Sequence, residues 1–96
     1  MFINLIVNET VTAKFDGYDE DLETYDFTYV DDEGDEILIS FNKISKEALL
    51  QFDLMQESFI GKEFKISYKI ETILEEEENE EEGVESYTII DLELKQ

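Results

Sequence analysis

Two neighbouring segments of the chain alternate apolar and polar residues with a period of two, which is the pattern of a half-buried β-strand. Residues 24–30 (TYDFTYV) place three aromatic side chains on one face, and residues 36–41 (EILISF) place two isoleucines and a phenylalanine on one face. The segment between them, DDEGD at 31–35, is rich in turn residues, and Gly34 is free to adopt a positive φ. The sequence therefore predicts a β-hairpin here.

Further strands are predicted on both sides of this hairpin. At the N-terminal end, residues 2–7 (FINLIV) and 10–15 (TVTAKF) indicate two strands or one long strand bent near Asn8, followed by a loop at 16–24. Toward the C-terminal end, residues 63–73 and 85–94 are expected to pair as a second hairpin, with the acidic run EEEENEEEG (75–83) at its tip. In the last strand the inward-facing residues are predicted to be Ile90, Leu92 and Leu94.

One helix is predicted over residues 45–57. Ser45 is a suitable N-cap, and Glu47 lies in the first turn, where the helix dipole favours an acid. Apolar residues then recur at spacings of three and four, which predicts a core-packing stripe. The stripe consists of Ala48, Leu49, Phe52, Met55 and Phe59, with Leu50 and Leu54 beside it.

This order of elements, with one hairpin before the helix and another after it, resembles the OB-fold over roughly residues 10–94. The expected fold is therefore mainly β, a five- to six-stranded antiparallel OB-like barrel with one helix (about 45–57) between strands three and four, in a single domain over 1–96. The resemblance implies that ligands meet the face of strands two and three and the loops at 16–24 and 75–83. Both loops are acidic, and the resemblance implies that they lie beside each other.

The charge balance restricts the possible partners. The chain has 27 acids against 7 lysines, no arginine and a formal net charge of −20. Affinity for nucleic acid depends on cations that neutralise phosphates, so direct nucleic-acid binding is not expected. A basic protein partner is favoured instead.

The expected function is therefore that of a non-catalytic interaction protein. It binds a basic protein surface, such as that of a nucleic-acid-binding protein. One form of this hypothesis is a nucleic-acid mimic that inhibits a nuclease or another nucleic-acid-binding enzyme, as anti-restriction and anti-CRISPR proteins do. The candidate partner-binding residues are Asp19, Glu20, Asp21, Glu23, Asp31, Asp32, Glu33, Glu75, Glu76, Glu77, Glu78, Glu80, Glu81 and Glu82.

Two alternatives remain open from the sequence. In the first, the protein is an OB-like structural or adaptor module that uses aromatic strand faces, including Tyr18, Tyr25, Phe27 and Tyr29, and its acidity serves only solubility. Exposure of the tyrosines would favour this alternative, and their burial would count against it. In the second, the protein responds to cations through its clustered carboxylates.

Enzymatic and cofactor chemistry are not expected. The chain contains no histidine and no cysteine, which removes the usual nucleophile and base pairs, and its isolated glycines build no phosphate-binding loop. The windows at 16–27 and 31–42 lack the glycine at position six that an EF-hand loop requires, so no dedicated metal site is expected. No apolar run is long enough for a membrane span or a signal peptide, and a cytoplasmic protein is expected.

The charge also predicts how stability responds to the solvent. Because crowded carboxylates repel one another, we expect mild acidification or added salt to raise the melting temperature. Thermal unfolding followed by circular dichroism at several salt concentrations and pH values measures this response. A melting temperature that is insensitive to both would show that the acids are too dispersed to interact.

Overall fold

The computed structural model describes the backbone of residues 2–77 and 80–95 and the side chains of residues 4–73 and 84–95. Within these ranges, six strands form one sheet, and one short α-helix and one 3-10 turn connect its two halves. The elements are β1 (Phe2–Asp19), β2 (Thr24–Val30), β3 (Glu36–Phe41), β4 (Lys43–Ile44), α1 (Lys46–Gln51), the 3-10 turn (Glu57–Phe59), β5 (Glu63–Glu77) and β6 (Glu80–Lys95).

The sheet has the strand order β3-β2-β1-β5-β6-β4 and curls into a half-barrel. The prediction of a mainly β fold with one helix before the second hairpin is confirmed, but the sheet is mixed, because β4 runs parallel to β6. Two hydrogen bonds of Asn42 help to hold this arrangement. Its backbone N–H donates to the carbonyl of Tyr87 at 3.1 Å, and its side-chain oxygen accepts from the N–H of Tyr87 at 2.9 Å. These bonds bring the chain that leaves β3 onto β6.

The strand β1 is one continuous strand that belongs to both halves of the sheet. It pairs with β5 from Phe2 to Lys14 and with β2 from Lys14 to Asp19. A bulge between Phe15 and Gly17, where Gly17 has φ +136°, bends the strand at this change of partner. The predicted loop at 16–24 is therefore wrong in its first half, because the bulge lets β1 continue and confines the turn to residues 20–23.

Both predicted hairpins are present. The turn between β2 and β3 contains Gly34 at φ +85°, as expected. The hairpin of β5 and β6 extends into the acidic run, since residues 75–77 pair with 80–82. The tip of that hairpin, residues 78 and 79, lies outside the described residues.

A second bulge changes which side of β6 faces inward. Ser67 pairs with Asp91, but the next residue, Tyr68, pairs with Ile89, so Ile90 is the extra residue. Because one extra residue reverses the alternation of side chains, Ile89 is fully buried and Ile90 is exposed. The prediction that Ile90 faces inward is wrong, whereas Leu92 is buried as predicted.

The helix begins where the sequence predicts and ends earlier. The Ser45 side chain caps it by accepting from the N–H of Ala48 at 3.2 Å, but the helix stops at Gln51 rather than near residue 57. Leu54 explains the early end, since in a continued helix it would point about 120° away from Ala48. Ending the helix allows both residues to be buried. Neither helix in the described residues is long and apolar enough to cross a membrane.

Phenylalanine rings fill the closed half of the barrel. The Phe27 ring lies 5.1 Å from Phe15, 5.6 Å from Phe41 and 6.3 Å from Phe64, measured between centroids. These four side chains come from four strands and are fully buried. Their tilted and edge-on contacts therefore connect both halves of the curled sheet.

Truncation of the central ring should destabilise the fold severely. We expect Phe27→Ala to lower the free energy of unfolding by about 3–5 kcal/mol, because a fully buried ring is replaced by a cavity. Urea unfolding measures this change. Leu38→Ala, at an exposed position on the same sheet, is the control and should change it by no more than about 0.5 kcal/mol. Similar losses in the two variants would contradict the central position of Phe27.

The raised pKa values of three tyrosines predict that the protein loses stability at alkaline pH. Burial raises the pKa of Tyr25, Tyr68 and Tyr87 above the ordinary value of 10.0, and the nearby Glu85 carboxylate adds to the effect at Tyr87. Below that pH the phenols are neutral in both the folded and the unfolded state, so their contribution to stability is complete. As the pH rises further, the unfolded chain ionises first, and the free energy of unfolding falls.

Urea unfolding between neutral pH and pH above about 10, with phenolate absorbance recorded in parallel, tests this expectation. The Tyr68→Phe variant should lose less stability over the same interval, because it has one fewer phenol to ionise. An identical alkaline dependence in wild type and in Phe variants at all three positions would refute the assignment.

Candidate functional site

The segment between Lys14 and Lys43 contains eleven acids and no basic residue. Such a distribution separates charge along the sequence, and the fold decides whether it also separates charge on the surface. No charged side chain is buried among the described residues. The eleven acids are Asp16, Asp19, Glu20, Asp21, Glu23, Asp26, Asp31, Asp32, Glu33, Asp35 and Glu36.

The strand β2 arranges these acids into one surface. The turn before β2 and the turn after it contain seven of them, and Asp19 at the end of β1 is an eighth. These eight lie at opposite ends of a strand seven residues long, which spans roughly 20 Å. Asp26 lies between the turns on the outer face of β2, since its neighbours Tyr25 and Phe27 are buried on the inner face. Asp16 lies beside it in the bulge of β1, and Glu36 on β3 pairs with Val30 at the far end of β2. We call these eleven residues the acidic surface.

Hydroxyl groups fix the two carboxylates in the middle of the acidic surface. Asp26 accepts from the Thr24 hydroxyl at 2.9 Å and from the Ser40 hydroxyl at 2.8 Å, which ties β2 to β3. Asp16, in the bulge of β1, accepts from the hydroxyl of Thr28 on β2. Because their donors are neutral, both carboxylates are oriented without being neutralised.

Asp19 and Asp31 cap the two turns. Asp19 accepts from the backbone N–H groups of residues 21 and 22, at 2.9 and 3.2 Å. Asp31 accepts from the N–H groups of Glu33 and Asp35, both at 2.9 Å. These bonds draw the carboxylates of Asp31, Glu33 and Asp35 to within 4.8 Å of one another, so turn formation explains their approach.

One lysine, Lys14, borders the acidic surface, because it pairs with Thr28, whose hydroxyl donates to Asp16. Other lysines lie farther along the sheet, on β5 and β6. Lys65 and Lys69 lie on the outer face of β5, and the β1–β5–β6 register places Glu63 between Lys14 and Lys95. The one ion pair in the described residues is also here, between Lys95 and Glu93 at 3.8 Å, with both side chains exposed. Within the described part of the chain, no lysine therefore forms an ion pair with the acidic surface, although Lys14 lies at its edge.

The glutamate run lies apart from this surface. Glu75 pairs with Phe2, whereas the turn after Asp19 is at the other end of β1. Antiparallel pairing of β1 and β5 thus places residues 75–77 and the turn at 20–23 at opposite ends of β1, and the expectation that the two acidic loops lie side by side is wrong. Glu78 is outside the described residues, as are the side chains of Glu75, Glu76, Glu77, Glu80, Glu81 and Glu82.

The aromatic residues of β1 and β2 face the interior. Tyr25 and Phe27 are buried, and Tyr18 is half-buried with its ring 5.0 Å from that of Tyr25. Tyr29, also half-buried, lines a groove at the open side of the half-barrel together with Ile37, Tyr68, Ile70 and Tyr87. The outer face of β2 thus presents Thr24, Asp26, Thr28 and Val30, with no aromatic platform.

Sequence reasoning placed seven members of the acidic surface among the candidate residues and missed Asp16, Asp26, Asp35 and Glu36. For Asp26, the signal was its polar position in the alternation of TYDFTYV, which places it opposite the buried rings. No sequence signal marks Asp16, because its position depends on the bulge. Comparison with known protein families, with characterised proteins and with solved structures gave no match.

Proposed function

We propose that the protein binds a basic protein surface through its acidic surface, and that it thereby competes with nucleic acid for that partner. The observation that carries the proposal is the row of eleven acids without a base, placed along a strand of roughly 20 Å. Such a row attracts and steers a cationic partner over a range limited by salt screening.

The charge density supports the comparison with nucleic acid. Double-stranded DNA carries one negative charge for about every 1.7 Å of helix axis, which gives about twelve charges over 20 Å. The acidic surface has eleven formal negative charges along this strand and the turns at its two ends. A cationic groove that accommodates a duplex would therefore meet a comparable number of charges.

The state of the acids before binding also supports the proposal. Asp16 and Asp26 are held by neutral hydroxyl donors, so they present ordered carboxylates. Ordering that precedes association reduces the entropy that binding costs. In addition, no lysine in the described residues has to be displaced from these acids before a partner's cations can approach.

The fold supplies a further argument. Two features support an OB-like assignment for the half-barrel. The helix α1 lies between the first three strands and the β5–β6 hairpin, and β4 pairs with β6. The outer face of β2 and β3 then corresponds to the face where such barrels bind ligands. Here that face carries carboxylates in place of the cations and stacked aromatics that bind nucleic acid.

The alternative function, an adaptor module that uses aromatic strand faces, has weaker support. It needs exposed tyrosines, yet Tyr25 is buried, and Tyr18 and Tyr29 are half-buried against the inner face. We therefore favour the acidic surface as the binding element.

Neutralising part of the acidic surface tests the proposal. The variant changes Glu20, Glu33, Asp21 and Asp32 to Gln or Asn, and it retains the turn-capping Asp19 and Asp31. We expect its affinity for a basic nuclease that binds wild type to fall by about tenfold or more, because four attractive charges are lost. Calorimetric titration of a panel of basic nucleases measures the affinity, with lysozyme as a cationic protein that does not recognise nucleic acid.

The matched control removes the same number of charges elsewhere, by changing Glu47, Glu57, Glu63 and Asp91 to Gln or Asn. It should retain most of the affinity, and added duplex DNA should displace wild type from the nuclease. Equal losses in both variants, or no binding above that of lysozyme, would refute the proposal. A third variant, with the six glutamates at 75–77 and 80–82 changed to Gln, measures the contribution of the glutamate run separately.

A further inference from the structure

The first part of β1 has an open edge. The pairing of β1 with β2 begins only at Lys14, so from residue 2 to residue 13 the described strands provide β1 with one neighbour, β5. The other edge presents backbone N–H and C=O groups in the geometry that accepts an added strand. An edge of this length is a site for association unless side chains prevent it.

The side chains in the central part of this edge do not prevent association. Residues 4–8 (NLIVN) include no charge and no proline, the two features that commonly block strand addition. Leu5, Ile6 and Val7 are 52%, 54% and 49% exposed, although they are consecutive and therefore lie on both faces of the strand. By contrast, the N-terminal part of β6 carries four glutamates between residues 80 and 85, and β3 begins with Glu36.

The sequence of this edge is nearly symmetric about Ile6. Asn4 and Asn8 flank it at a distance of two residues, and Leu5 and Val7 at a distance of one. In an antiparallel pair of two such strands with Ile6 opposite Ile6, Leu5 faces Val7 and Asn4 faces Asn8. The segment is therefore self-complementary, as a two-fold interface requires.

We propose that two copies of this chain associate through antiparallel pairing of their β1 edges, with the two-fold axis at Ile6. The pairing joins β5 and β6 of both copies into one continuous sheet and covers the exposed apolar side chains at 5–7. Electrostatics favours this edge for a second copy, because Glu9 is the sole charged residue between positions 2 and 13 of a chain with charge −20. Here two such molecules meet without opposing carboxylates.

The salt dependence of this dimer differs from that of the complex in the proposed function. Two molecules of charge −20 repel each other at long range, so screening by salt should strengthen the dimer. Salt should weaken binding to a basic partner. The dimer does not depend on the proposed function, and each can fail without the other.

Cysteine substitution tests the register, because the chain has no cysteine of its own. Facing Cβ atoms across an antiparallel pair lie about 4.5–5.5 Å apart, close to the distance of about 3.8 Å in disulfides. With a mild thiol oxidant, Ile6→Cys should give a covalent dimer, as should an equimolar mixture of Asn4→Cys and Asn8→Cys. Asn4→Cys alone should form no more covalent dimer than Val84→Cys, the background control at an exposed position on β6. Equal cross-linking in all samples would overturn the register.

Sedimentation of the unlinked protein tests the interface itself. Wild type should show a dimer fraction that rises with protein and salt concentration. Ile6→Lys should lower the association constant by about tenfold or more, since it places two cations across the axis. Val84→Lys makes the same change on β6 and should leave the constant within about twofold. A monomer under all conditions, or a dimer weakened only by Val84→Lys, would refute the proposal.

Discussion

The bend in β1 is the constraint on which the rest of the structure depends. One strand serves both halves of the sheet, pairing with β5 before Lys14 and with β2 after it. The bulge at Asp16 and the positive φ of Gly17 turn the second half toward the first, which brings the Phe27 ring into contact with those of Phe15 and Phe64. Without that turn the phenylalanine rings would lie along a flat sheet, and their apolar area would face water.

The same bend separates the two sides of the molecule electrostatically. On one side of Lys14, β5 and its neighbours carry lysines and glutamates together. On the other side, β2 and its two turns carry acids alone. The curl of the sheet therefore gives charge segregation on the surface as well as in the sequence, and the polar face of β2 becomes the centre of a long acidic row.

Local features were predictable from the sequence because each depends on a few adjacent residues. The alternation in TYDFTYV and EILISF specified a hairpin, Gly34 its turn, and Ser45 the start of the helix. The structural features that differ from the prediction depend on contacts between residues far apart in the chain. Asn42 reaches Tyr87 and helps to hold the mixed sheet, and the bulge opposite Ser67 and Tyr68 exchanges Ile90 for Ile89 in the core. No local pattern encodes such pairings.

The same distinction between local and long-range features applies to the candidate site. The acidic turns were evident from composition, since solvated turns accept charge at little cost. The separation of residues 75–77 from the turn at 20–23 was not evident, because it follows from the direction in which β5 passes β1. The anchoring of Asp26 by Thr24 and Ser40 also required the register of β2 and β3.

The carboxylates are not part of the apolar interior in the described residues, and this separation bears on how the protein can change over evolutionary time. No charged side chain is buried in the described residues, and the single ion pair there is exposed. Apart from the few acids that cap turns or join strands, an acid can therefore be gained, lost or moved without repacking the interior. A lineage can therefore retain the scaffold while its surface charge pattern changes, and the same freedom makes the half-barrel a practical framework on which to redesign a charged surface.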